Sequence, residues 1–195
     1  MNVAVRKPTT LSEFLAWEER QELRHEFDGL RVIAMAGGTA AHAAIQRNLA
    51  VALHPRLRGR PCQFFGSDLK FLTAEGTVRY PDGIVVCAPV ASKAKHVEHP
   101  TVVFEVLSPS TTDTDRIVKA REYEATPSVR RYVMLEQDSA AAVVYARAGE
   151  SWTHEILLAD SSLALPEIGL DFPLAELYEG VEFETPAEDG STGGA

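Results

Sequence analysis

The sequence predicts an α/β (α+β) chain, and three observations lead there. Thr101–Leu107 is a near-continuous apolar run, which suits a strand covered on both faces. Ile45, Leu49, Ala52 and Leu53 recur at helical spacing between Thr39 and Leu57. Two alternating stretches, Leu23–Met35 about Asp28-Gly29 and Ala141–Leu158 about Gly149, read as an N-terminal and a C-terminal hairpin.

The other elements follow in order. Residues 1–8 read as a loose arm. Thr10 as N-cap with Glu13 three residues on opens a short helix, whose apolar face is Phe14, Leu15 and Trp17. After the first hairpin comes the long helix Thr39–Leu57, closed by Gly59-Arg60-Pro61. Three strands are expected at Cys62–Leu72, Tyr80–Cys87 and Thr101–Leu107, with a basic loop Ala88–Pro100 between the last two. A helix over Thr112–Ala125, a strand Val129–Glu136, the second hairpin and a short element within Pro166–Leu177 complete a single domain spanning 1–180. The acidic, Gly-rich stretch 181–195 reads as a disordered tail.

Composition bounds the function. A net charge of −9 argues against nonspecific coating of nucleic acid, while leaving room for a carboxylate-lined site that cuts it. The two cysteines, Cys62 and Cys87, form neither a disulfide framework nor a zinc spacing, and read as small core residues in a reducing cytosol. There is no secretory h-region and no run long enough for a membrane span, so a soluble, cytoplasmic protein is expected.

The chemistry centres on Glu105. A carboxylate inside a buried strand needs a basic partner or a cation. Asp82 follows Pro81, which places it at the mouth of a strand. Two carboxylates from neighbouring strands suit Mg²⁺ or Mn²⁺, which takes one or two protein carboxylates and keeps several waters. Asp115, Lys119 and Tyr123 lie at i, i+4, i+8 on one helical stripe, which the Ser108–Thr111 turn can bring back toward Glu105. Glu26, before the hairpin turn, and His42, in the first turn of the long helix, are outer candidates.

Together these fragments resemble the Uma-type restriction endonuclease family of the PD-(D/E)XK nuclease superfamily. They are Glu26-Phe27-Asp28-Gly29, His42, Pro81-Asp82, and the run from Phe104-Glu105-Val106-Leu107 to Asp115, Lys119 and Tyr123. The resemblance covers roughly residues 9–160 and implies a restriction-endonuclease-like core, a central mixed β-sheet flanked by helices. It implies a Mg²⁺-dependent endodeoxyribonuclease acting on DNA, with Asp82, Glu105 and the Val106 carbonyl as metal ligands. The catalytic set would be Asp82, Glu105, Lys119, Glu26, Asp115 and His42.

In the superfamily signature a lysine stands two residues after the acid. Leu107 stands there in this sequence, and Lys119 or Lys70 is the replacement. Gly83 also stands where a branched apolar residue is usual, which predicts a less firmly held Asp82 backbone. His54–Arg60 and Lys93–His96 are the basic stretches expected to meet substrate, and a homodimer suits a two-stranded substrate. The alternative is a catalytically degenerate nuclease fold acting as a binding or assembly module.

Overall fold

The structure, a computed structural model, describes residues 8–35, 37–108 and 114–183. Helix α1 (Leu11–Glu18) starts at Thr10, whose hydroxyl accepts the Glu13 N–H at 3.2 Å, as the capping pattern predicts. Strands β1 (His25–Phe27) and β2 (Val32–Ala34) form the first hairpin. Helix α2 (Ala40–Leu57) is capped by Thr39, and Pro55 falls in its last turn.

The expected strand Cys62–Leu72 is two strands, β3 (Gln63–Gly66) and β4 (Lys70–Leu72), which join different sheets. The break falls at Ser67-Asp68, turn-forming residues after Gly66. Next come β5 (Val78–Arg79), β6 (Gly83–Val86) and, inside the expected loop, the short β7 (His96–Val97). β8 (Val102–Val106) is followed, after residues outside the described set, by a π-helical turn (Thr114–Lys119) and α3 (Ala120–Ala125). The chain then forms β9 (Arg131–Leu135), the hairpin β10 (Ala141–Ala148) and β11 (Ser151–Leu158), and the pair β12 (Ser162–Leu165) and β13 (Leu170–Pro173). The strand β12 has no counterpart in the sequence reading. Val181 packs against the core and Phe183 lies on the Tyr178 ring, whereas 184–195 are outside the described residues.

The central sheet is mixed, ordered β11-β10-β9-β8-β6-β3, with β8 and β9 parallel and its other pairs antiparallel. A smaller sheet, β2-β1-β5-β4-β7, stands beside it. The strand pleat divides β8 between two layers. Val102, Phe104 and Val106 pack with Ile45, Leu49 and Leu53 of α2. Val103 and Leu107 pack with Ala120 and Tyr123 of α3. Glu105 therefore belongs to the α3 side, the direction from which Lys119 comes.

Two expectations are corrected. Cys62 and Cys87 are joined as a disulfide. The antiparallel β3–β6 register sets Gln63 against Val86, which brings the flanking cysteines opposite each other, and no local pattern in the sequence reveals that register. Gly83, expected to loosen Asp82, is held in the ladder on both sides, against Gly66 and Phe104. It is also required for space, since a Cβ there would lie 2.7 Å from Cε2 of Phe64.

Gly83→Ala should therefore destabilise the protein by about 1–3 kcal/mol through overpacking. Adding Phe64→Leu should recover part of that loss, read by urea denaturation. If the two costs simply add, the contact is not the cause.

Candidate active site

Glu26, His42, Gln46, Asp82, Glu105 and Lys119 all line one cleft of about 900 Å³. At its floor, Oε1 of Glu105 lies 2.9 Å from the Lys119 ammonium and accepts the Tyr123 hydroxyl at 2.8 Å. Burial, reinforced by the Glu105 charge, pushes the Tyr123 hydroxyl well above its ordinary pKa, so it remains a donor. The side chain of Asp115, the first residue of the predicted stripe, lies outside the described residues.

Leu107, at the position of the signature lysine, is a buried residue in the α3-side core and does not line the cleft. Lys70, the other replacement considered, turns to Glu18 instead: its ammonium meets Oε2 of Glu18 at 2.6 Å, and it is not among the residues lining the cleft. Glu18 also accepts the Tyr80 hydroxyl at 2.6 Å through Oε1.

Asp82 sits one residue before β6, where the β6–β8 ladder ends at Gly83 and Phe104. Its Oδ2 accepts the Val106 N–H at 2.6 Å, so the side chain continues the strand pairing that the backbone stops. His42 Nε2 lies 3.2 Å from the same oxygen, and Gln46 donates to Oδ1 at 2.5 Å. His42 and Gln46 are one turn apart on α2, so a single helical stripe supplies both.

Glu26 accepts the Tyr80 N–H and an Arg79 N–H, each at 3.1 Å, and lies 3.5 Å from the Lys119 ammonium. Burial pushes its carboxyl up, but Lys119, Arg79 and the Tyr80 N–H outweigh burial and hold it below its ordinary value. Arg79 is fully buried and also grips Glu122 through two N–H groups, at 2.7 and 2.6 Å. Burial alone would weaken the guanidinium's charge, yet Glu122 and Glu26 raise its pKa above the ordinary arginine value. Arg79 thus ties the hairpin carrying Glu26 to the helix carrying Lys119.

The sequence reading missed Gln46, Arg79 and Glu122. Gln46 is visible in retrospect as the i+4 partner of His42. Arg79 carries no local signal, because its partners are 53 and 43 residues away. The basic stretch His54–Arg60, expected to meet substrate, is corrected in part. Arg56 binds Glu176 and Arg60 binds the Ile168 and Gly169 carbonyls, at the end of α2 remote from His42. In the second stretch Lys95 pairs with Glu19 at 2.9 Å.

The donor set facing the cleft is largely carboxylate oxygen, the chemistry that suits Mg²⁺ or Mn²⁺ rather than a thiolate-binding metal. Among the described residues no group of three or more His, Cys, Asp or Glu side chains is gathered for an ion. A two-carboxylate Mg²⁺ site completed by water does not need three such residues.

The chain matches the family Uma2, described as "Putative restriction endonuclease", over residues 11–175. It belongs to that family. Two Synechocystis sp. proteins are similar to it. The "Uncharacterized protein slr1290" is 34% identical over 88% of this chain and 92% of its own length, and the "Uncharacterized protein sll1609" is 29% identical over 77% and 87%. A crystal structure from Anabaena variabilis, titled as "a putative nuclease belonging to DUF820", superposes with a TM-score of 0.68 at 20% identity, covering 88% of this chain and 98% of that one. That likeness shows a shared fold, the mixed sheet flanked by helices expected of the Uma2 chain. Among the described residues no helix is long and apolar enough to cross a membrane.

Because the Glu26 pKa is lowered on folding, its ion pairing contributes stability above the ordinary value of 4.5, and this is lost as pH falls through the lower folded value. Thermal denaturation should show wild type losing stability on acidification below about pH 4.5, with a shallower loss in Glu26→Gln. Parallel curves would mean Glu26 is not held as described.

Proposed function

We propose that this Uma2 chain is a Mg²⁺- or Mn²⁺-dependent endonuclease that hydrolyses DNA phosphodiester bonds. The observation that carries the reading is the convergence of Asp82, Glu105 and Lys119 in one cleft, from two adjacent strands and the helix that follows. The names given to the family and to its structural neighbour point the same way.

In this reading Asp82 and Glu105, with the Val106 carbonyl, hold the cation, which when bound polarises the phosphodiester and makes a coordinated water more acidic. Lys119, fixed beside Glu105, faces the attacked phosphate and stabilises charge growing on its oxygens. Glu26, 3.5 Å from the ammonium, helps hold Lys119, and Tyr123 fixes the Glu105 oxygen that the ammonium meets. His42, 3.2 Å from Asp82 Oδ2, helps position that carboxylate. Gln46 fixes the orientation of the Asp82 carboxylate.

A second reading, a nuclease fold kept as a binding or assembly module, draws on the lack of a three-residue metal cluster among the described residues. Titration calorimetry with Mn²⁺ separates the two. Asp82→Asn and Glu105→Gln should weaken binding strongly, whereas Lys119→Gln should retain it and lose about 10²–10³-fold in plasmid nicking. Equal Mn²⁺ binding by wild type and both carboxylate variants would sink the metal site. Undiminished nicking by Lys119→Gln would remove the role given to that lysine.

A further inference from the structure

On the cleft-facing side of the first hairpin, the chemistry above uses Glu26 and leaves its neighbours without a role. In β1–β2 the register sets Glu26 against Ile33, and the Met35 N–H donates to the Arg24 carbonyl at 3.0 Å. Residues opposed in an antiparallel pair share a face, so Arg24, Glu26, Ile33 and Met35 lie on one side. All four line the catalytic cleft. Phe27 and Val32, on the other side, pack with Phe14, Leu72 and Val78. The hairpin wall of the cleft therefore sets Ile33 and Met35 beside the Arg24 guanidinium, with Glu26 among them turned to Lys119 at 3.5 Å.

That wall is unusually open. Ile33 is 42% exposed, and Leu23, at the same rim, is 64% exposed. The Arg24 guanidinium is fixed by the Ser67 carbonyl and Asp68 and lies over the Tyr80 ring at 5.9 Å. A fixed planar cation beside aliphatic side chains suits a flat, apolar π-face, and a nucleobase attached to the scissile phosphate supplies one.

We propose that Ile33, Met35, Leu23 and Arg24 form a nucleobase subsite, and that the site acts on DNA strands whose base beside the scissile phosphate is unpaired. This rests on the nuclease reading. Two further facts favour a single strand. The cleft holds four carboxylates, Glu22, Glu26, Asp82 and Glu105, against Arg24, Lys119 and His42, a balance poorly matched to the charge density of a duplex. A duplex also buries its base faces in the stack, and exposing one costs free energy that a single strand does not incur.

The test uses the full chain with one oligonucleotide, single-stranded or annealed to its complement. With Mn²⁺ the single strand should be cut about tenfold faster or more, and Ile33→Ser should cost about tenfold in its cleavage, mainly through KM. Binding is read separately by 2-aminopurine fluorescence in Ca²⁺. Ile33→Ser and Leu23→Ser should weaken the single strand's binding, while Leu30→Ser, at an exposed turn residue outside the cleft, should not. Equal or faster cutting of the duplex, or undiminished single-strand binding by Ile33→Ser and Leu23→Ser, would overturn the subsite. Wild type that binds the single strand at the hairpin yet neither binds Mn²⁺ nor cuts either DNA would overturn the nuclease reading instead.

Discussion

The cost of keeping the Glu105 charge inside a covered strand organises this protein. Removing one partner from a buried ion pair leaves the other charge uncompensated, at a cost of about 3–5 kcal/mol. The fold answers with Lys119 and Tyr123, both directed at the same oxygen of Glu105. Those two groups come from the segment that crosses from β8 to β9, so charge compensation and topology are one arrangement. The π-helical turn ending at Lys119 widens the helix at this point, a local irregularity of a kind that recurs at functional sites.

Arg79 extends the same logic outward. Its two carboxylate partners sit on elements from different parts of the chain, and without it Glu26 and Glu122 would both be buried with one cation fewer. The guanidinium fork is geometrically suited to this, gripping Glu122 with two N–H groups while a third reaches Glu26. Glu26 is thereby held at the cleft, its orientation set by the protein itself.

Much of this was legible in the sequence where cause and effect are close together in the chain. Glu105 stood out because its apolar neighbours announced a buried strand, and Lys119 and Tyr123 because helical spacing put them on one stripe. Glu26 and His42 were legible through the family pattern, since each alone reads as an ordinary polar residue. What escaped depended on strand register or distant pairing. Cys62 and Cys87 meet through the β3–β6 ladder, Arg79 finds partners far along the chain, and Cys62–Leu72 breaks because its halves serve different sheets. Gly83 shows a different limit: the sequence records a missing side chain, but not the Phe64 ring that excludes it.

The parallel pairing of β8 with β9 has a consequence for how the protein reaches its finished form. Such a pairing requires a crossover, and here the crossover delivers the lysine. The contacts of the cleft join residues separated by 14 positions for Lys119–Glu105, 24 for Val106–Asp82 and 53 for Arg79–Glu26. Loop closure costs more as the intervening chain lengthens, so contacts of this last kind add most to contact order. Docking the hairpin on the rest of the chain therefore closes the longest loop among these cleft contacts and carries their largest entropic cost.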